Sequence, residues 1–199
     1  AVKFGTDGWR AVIGENYTFE NVARVSLAVA RVFKDHPKIS NGIVIGYDTR
    51  FLGKEFALTA AKVFANEGVK VFLTNTFVST PTVSLLSRDK NLPLGVMITA
   101  SHNPFKYNGY KLKDEFGGSM SPVEIGKVEA EMANITTVEI SKNLDEFIND
   151  GLIEYFDGRK YFIEYLKKGI DINSIKGSGI KVIYDTMFGA GQNTVNEFM

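Results

Sequence analysis

The run Thr99-Ala100-Ser101-His102-Asn103-Pro104 sets a hydroxyl directly after an apolar segment, Leu94-Gly95-Val96-Met97-Ile98, that reads as a buried strand. In an open α/β sheet, ligands sit just beyond the carboxyl ends of strands, and Ser101 falls at such an end. Pro104 biases Asn103 away from the helical region, so the loop stays extended and its backbone groups remain available. Ten residues after the serine comes Asn108-Gly109-Tyr110-Lys111, which can return a cation to the same place. A serine, an imidazole and an ammonium on one loop suit phosphoryl or acyl transfer, and the motif alone does not separate the two.

Other residues tilt the balance toward phosphate. The chain has only two histidines, His36 and His102, and no Gly-x-Ser-x-Gly elbow surrounds Ser101. His102 adjoins the serine in sequence, an unusual place for the base of a hydrolase. Phosphoryl transfer depends on positioned cations, and Arg10, Arg50, Lys106, Lys111 and Lys113 all fall near expected loops. Arg10 closes Gly5-Thr6-Asp7-Gly8-Trp9-Arg10, where two glycines permit a tight turn and an arginine leaving it can meet an anion bidentately. A plain β-turn between short strands accounts for that segment equally well. Asp48-Thr49-Arg50 follows a strand, where a charge pair orients a neighbouring loop or takes a direct part in catalysis. The Gly177–Gly179 and Gly189–Gly191 pairs make no full phosphate-loop pattern.

The elements that must hold these groups alternate. Apolar periodicity predicts helices over 18–35, with Thr18 as N-cap, and over 54–67, with Gly68 closing it. A shorter helix is expected after Pro81, then helices over 121–132, entered through Ser121-Pro122, and 158–168. Strands are expected over 42–47, 69–73, 94–98 and 180–184. Strand-helix alternation implies an α/β fold with a mainly parallel mixed sheet flanked by helices, followed by the first strand of a second α/β domain. The boundaries expected are 1–133 for the first domain, 134–157 for a linker region and 158–199 for the incomplete start of the second.

Composition narrows the class. An apolar share of 44% supports a sizeable core. Lys+Arg and Asp+Glu balance at 23 each, where a nucleic-acid binder would show basic excess. The chain contains no cysteine, which removes disulfides, thiolates and cysteine-zinc sites. No apolar run reaches membrane-spanning length and the start lacks a signal pattern. A cytoplasmic protein with no nucleic-acid or membrane partner is expected, and Ala1 suggests a processed or truncated start.

Together, Phe4-Gly5-Thr6-Asp7-Gly8-Trp9-Arg10, Asp48-Thr49-Arg50, Thr99–Pro104 and Asn108–Lys111 resemble, in order and spacing, the first domain of the α-D-phosphohexomutases, the phosphoglucomutases and phosphomannomutases. Tyr184-Asp185-Thr186-Met187-Phe188-Gly189-Ala190-Gly191 looks like the opening of that family's second domain. The resemblance implies a phosphoserine at Ser101 that passes its phosphoryl group to a hexose 1- or 6-phosphate and takes the other back. It implies Lys111 as general acid/base, His102 assisting at the serine, and Arg10 stabilising the transferring group. Asn103, Thr6 and Arg50 fall to substrate and phosphate binding. Mg²⁺ is the implied cofactor, with glucose 1,6-bisphosphate as activator, and Ser101 through its phosphate is the one metal ligand on offer, because the family's Asp-x-Asp-x-Asp loop is absent. Ala11 stands where a glycine is common, and Phe51-Leu52-Gly53 replaces a serine-rich continuation. The implied substrate is a hexose phosphate, glucose or mannose in preference to glucosamine, and this piece alone is expected to turn over little. A non-catalytic phosphosugar-binding module and a serine phosphotransferase or phosphatase of another kind are the alternatives. Residues 180–184 are expected to pair with another copy of the chain, as a homo-oligomer or by swapping.

Overall fold

In the computed structural model, which describes residues 2–199, every residue of the strands β2 (Ile43–Tyr47) and β4 (Leu94–Ile98) is buried. That is the signature of strands covered on both faces. They form the middle of a six-stranded sheet with β1 (Trp9–Val12), β3 (Val71–Thr74), β5 (Tyr107–Asp114) and β6 (Ile153–Phe156), in the spatial order β1-β5-β4-β2-β3-β6. The pairs β2–β3, β2–β4 and β3–β6 are parallel, while β4–β5 and β1–β5 are antiparallel. The expected mixed, mainly parallel sheet is present.

The helices are α1 (Phe19–Phe33), α2 (Gly53–Asn66), α3 (Thr80–Asp89), α4 (Pro122–Met132), α5 (Leu144–Asn149), α6 (Gly158–Gly169), α7 (Ile172–Gly177) and α8 (Thr194–Phe198). Thr18 caps α1 by accepting from the Asn21 amide, and Ser121 caps α4 by accepting from Glu124, which satisfies amides the helices leave free. None of these helices is long and apolar enough to cross a membrane.

Alternate residues of the central strands feed two cores. Ile43, Ile45, Leu94, Val96 and Ile98 pack with α1, α2 and α4, while Val44 and Met97 face Val83 and Leu86 of α3. The crossover from β2 to β3 therefore covers one face and that from β3 to β4 the other. Between β2 and β4 the winding reverses, and the loops leaving these two strands flank the crevice where such sheets take ligands. Gly46 and Gly95 lie on the α3 side. A methyl group at Gly95 would stand 2.4 Å from Ser87 Oγ and 2.8 Å from Val83 Cγ1, so α3 lies unusually close to the sheet.

Three expectations are corrected. The stretch 134–157, read as a linker, contains α5 and β6, and β6 forms the outer strand of the same sheet from Val71↔Ile153 to Thr74↔Phe156. Helix α6, placed at the start of a second domain, packs on α3, with Tyr161 against the second core. The strand expected over 180–184 forms no ladder with any strand among the described residues. Ile180, Val182 and Ile183 are exposed there, and an apolar run without a neighbouring strand gains no backbone partners. The short strand β1 matches the reading of Gly5–Arg10 as a turn beside short strands, whereas β5 has no counterpart in the expected strands, because Asn108-Gly109 are turn-forming residues near its start.

Replacing Gly95 by Ala is expected to destabilise the chain by about 1–3 kcal/mol through forced overpacking. Urea unfolding measures this, and a change within experimental error would show that α3 can move away freely.

Candidate active site

The loop following β4 carries Ser101, and the loop following β2 carries Asp48, Thr49 and Arg50. Ser101 adopts φ 56°, a left-handed conformation for a non-glycine residue, which costs roughly 1–2 kcal/mol and needs something to hold it. Arg50 supplies much of that. Its Nη1 donates to the carbonyls of Pro104 and Tyr107, both at 3.0 Å, and its Nη2 to those of Ser101 at 2.8 Å and Asn103 at 2.6 Å. Hydrogen bonds from a charged donor contribute about 1.5–3 kcal/mol each. Even with two of the four at exposed positions, the clamp outweighs the strain at the serine.

The sequence offers Arg50 two roles, phosphate binding by resemblance and loop orientation through its charge pair with Asp48. Its terminal nitrogens face main-chain carbonyls, and its Nε lies 3.5 Å from Asp48 Oδ2, so it holds the loop. Asn103 plays a related part, accepting at Oδ1 from Arg10 Nη1 at 2.7 Å. Thr6 sits exposed in the Gly5–Gly8 turn. His102 is exposed, with Nδ1 at 3.3 Å from Ser101 Oγ.

The strands β1 and β5 carry the other cations, and Arg10 joins them to the serine loop through Asn103. Arg10 pairs with Gly109 across the antiparallel ladder, and Lys111 pairs with Met97 on β4. Alternation turns Trp9 and Tyr110 into the core and leaves the two cations to the other face. Gly8, at φ 96°, permits the crossing of the first turn over β5. A Cβ there would lie 2.6 Å from the Tyr110 carbonyl oxygen.

The residue that links the cations is Asp7, which motif reading left out of the site. Its Oδ2 lies 2.5 Å from Lys111 Nζ and 3.4 Å from Arg10 Nη2. Burial pushes the Asp7 carboxyl upward, but the Lys111 hydrogen bond and the charges of Lys111, Lys113 and Arg10 outweigh it and hold the carboxyl below its usual value. Lys113, two residues along β5 and nearly buried, is lowered by burial, with Asp7 opposing and the Lys111 charge adding to the shift. The signal for Asp7 was its place three residues before Arg10, together with the need of a buried Lys111 for a counter-charge.

The serine loop opens into a cavity of about 690 Å³ whose walls include Asp48, Arg50, Ser79, Thr99, Ser101 and Phe188. Thr49 Oγ1 donates to the Phe188 carbonyl at 2.9 Å, which brings the glycine-flanked turn near the C-terminus to the serine. The space has room for a small polar molecule beside the Ser101 hydroxyl, with Asp48, Ser79 and Thr99 among its polar lining.

A family described as phosphoglucomutase/phosphomannomutase, alpha/beta/alpha domain I, matches residues 1–139. The chain belongs to the phosphoglucomutase/phosphomannomutase family. A phosphoglucomutase of Staphylococcus saprophyticus is 32% identical over all of this chain and 37% of its own length, and a phosphoglucosamine mutase of Roseobacter denitrificans is 35% identical over 98% of this chain and 42% of its own. A crystallised candidate phosphomannomutase of Thermus thermophilus superposes with a TM-score of 0.85 at 33% identity, covering 99% of this chain and 42% of that protein. The chain thus spans about two-fifths of the length of these family members.

Asp48 gives this family site a testable electrostatic signature. Burial raises its carboxyl above the ordinary 3.8, against the pull of the Thr99 hydrogen bond, the Arg50 amide and the Arg50 and Lys111 charges. A carboxyl whose folded pKa is raised contributes stability that is complete below 3.8 and is lost as pH rises through the folded value. Asp48→Asn is therefore expected to gain on the wild type in urea resistance as pH climbs from 3.8 toward neutrality. A constant difference over that range would contradict the assignment.

Proposed function

We propose that this chain carries the phosphoserine of a phosphohexomutase, with Ser101 as the group that gives and receives the phosphoryl. The observation that carries this reading is the placement of Ser101. It stands in a clamped left-handed loop at the sheet's winding reversal, with Arg10 bonded to the loop through Asn103 and linked to Lys111 through Asp7. The names of the relatives support a hexose phosphate as substrate, and they divide among glucose, glucosamine and mannose forms.

In the forward step a sugar hydroxyl oxygen attacks the phosphorus of phospho-Ser101, a new P–O bond forms and the Ser101 Oγ–P bond breaks. The hydroxyl's proton passes to Lys111 in its neutral amine form, so the ammonium must first give one proton to solvent and with it lose the ion pair to Asp7. His102 steadies the departing Ser101 oxygen from 3.3 Å. Arg10, oriented by Asn103 and Asp7, offers fixed donors to the charge spread over the moving phosphoryl group, where preorganised groups act most strongly. The step then runs in reverse on the other phosphate of the bisphosphate, which regenerates phospho-Ser101. Arg50 acts through the loop.

Mg²⁺, implied by the resemblance, does not find a complete site in these residues. No group of three or more His, Asp or Glu side chains able to hold a metal occurs among the described residues. The two carboxylates nearest the serine, Asp7 and Asp48, are committed to Lys111 and to Thr99 with Arg50. A phosphate on Ser101 remains the one ligand this chain would give.

Incubation with glucose 1,6-bisphosphate and Mg²⁺ is expected to add one phosphate, mapped by peptide mass to Ser101, absent in Ser101→Ala and removed by a hexose monophosphate. Arg10→Ala should slow the uptake about 100- to 1,000-fold. Phosphate mapped to another residue, or uptake insensitive to both changes, would contradict the reading.

A further inference from the structure

The Arg50 clamp grips the carbonyl side of Ser101, and a second set of bonds grips its amide side. The Ser101 amide donates to Thr99 Oγ1 at 2.9 Å, and Thr99 Oγ1 donates its own proton to Asp48 Oδ2 at 2.5 Å. Asp48 is itself fixed, with Oδ1 accepting from the Arg50 amide at 3.0 Å and its own amide donating to the Ile98 carbonyl at 3.1 Å. Thr99 is buried, and its amide donates to the Gly109 carbonyl at 2.9 Å. The nucleophile's peptide is thus held at both ends by the short span Asp48–Arg50.

The direction of this chain of bonds is dictated by chemistry. A hydroxyl has one proton to give and lone pairs to receive. To accept from the Ser101 amide with its lone pair aimed correctly, Thr99 must send its proton the other way, to a partner that only accepts. An ionised carboxylate is such a partner, whereas an amide or a protonated carboxyl presents a donor as well. Both Asp48 oxygens accept, Oδ2 from Thr99 and Oδ1 from the Arg50 amide, so a side chain with one acceptor oxygen and one donor could serve only one of the two.

We propose that Asp48 is a positioning residue for the phosphoryl-carrying serine: through the Thr99 hydroxyl, its carboxylate fixes the Ser101 amide and holds that residue in the left-handed conformation that presents Oγ to the cavity. The inference deepens the phosphohexomutase reading and rests on it for its consequence in transfer, though the geometry of the latch stands apart from any activity. A carboxylate buried here is otherwise a liability, and the folded chain carries it where asparagine would fit the same space. The negative charge also stands beside Arg50, so a single group serves the clamp on the carbonyl side and the latch on the amide side.

The test is amide NMR on the whole chain with Asp48→Asn, Thr99→Val and Thr99→Ser, reading hydrogen exchange at the Ser101 amide and the coupling that reports its φ. In Asp48→Asn and Thr99→Val the Ser101 amide is expected to exchange about tenfold faster or more, as for loss of one hydrogen bond, with its φ coupling altered. Thr99→Ser keeps the hydroxyl and should keep both wild-type values. Unchanged protection of Val44 and Val96 in the central strands certifies that a variant is folded. Should Thr99→Val fail that criterion, the Asp48→Asn and Thr99→Ser comparison decides alone. Wild-type exchange and coupling in Asp48→Asn would overturn the proposal, as would a Thr99→Ser chain that behaves like the loss variants. Phosphate uptake at Ser101 from glucose 1,6-bisphosphate gives the second readout. It should fall by about 100-fold in Asp48→Asn with an unchanged dependence on bisphosphate concentration, and a fall in apparent affinity alone would count against positioning. A wild-type chain that takes up no phosphate would sink the functional reading, while the amide data still confirm or overturn the latch.

Discussion

One guanidinium organises the reactive end of this molecule. Arg50 spends its terminal donors on four main-chain carbonyls between Ser101 and Tyr107, and its counter-charge, Asp48, precedes it in the same loop after β2. A loop of six or seven residues would ordinarily sample many conformations, each ordered residue costing about 1–2 kcal/mol in backbone entropy. Tying it from a single rigid fork concentrates the compensation in one place. Arginine suits this because its five donors lie in one plane and its charge persists at every accessible pH. Lysine would supply the charge without the fork.

That clamp works because the sheet has already brought β2 and β4 side by side. The central strands are buried on both faces and cannot shift without exposing two cores, so the loops leaving them inherit a fixed separation. Close seating of α3 over Gly46 and Gly95 brings the helix start, with Ser79 and Thr80, to the cavity wall. The antiparallel pair β1–β5 then adds the cations from the far side. Two frames, one carrying Ser101 and one carrying Arg10 and Lys111, meet at the Arg10–Asn103 hydrogen bond. Preorganisation of this kind is the main lever available for phosphoryl transfer, where the protein stabilises charge by position.

Much of this was legible in the residues. The apolar runs gave β2 and β4 with their helices, because burial on both faces leaves an unbroken hydrophobic signature. The Thr99–Pro104 run pointed to the serine, and its order with Arg10 and Lys111 pointed to the family. What escaped was partnership. Nothing local distinguishes an arginine that binds phosphate from one that binds carbonyls, so the sequence leaves Arg50 open to both roles. Asp7 lay hidden in a turn whose residues satisfy a bland reading. The strand β5 begins in Tyr107-Asn108-Gly109, residues poor in strand propensity, and is held in the sheet by pairing on both sides. β6 is short and at an edge, where half its side chains meet solvent and alternation fades. The run 180–184 shows the converse, a strand-like pattern with no neighbouring strand among the described residues to complete it.

The central claim is that the loop presents a phosphoryl group on Ser101 to fixed positive charge. Phosphorus NMR of the chain phosphorylated at Ser101, titrated without metal, measures that directly. Free phosphoserine has its second ionisation near about 6, and nearby cations favour the more charged form. The account predicts a second ionisation clearly below that value in the folded chain, returning toward it in Arg10→Ala and after unfolding. A folded-state titration indistinguishable from free phosphoserine, and unmoved by the loss of Arg10, would contradict it.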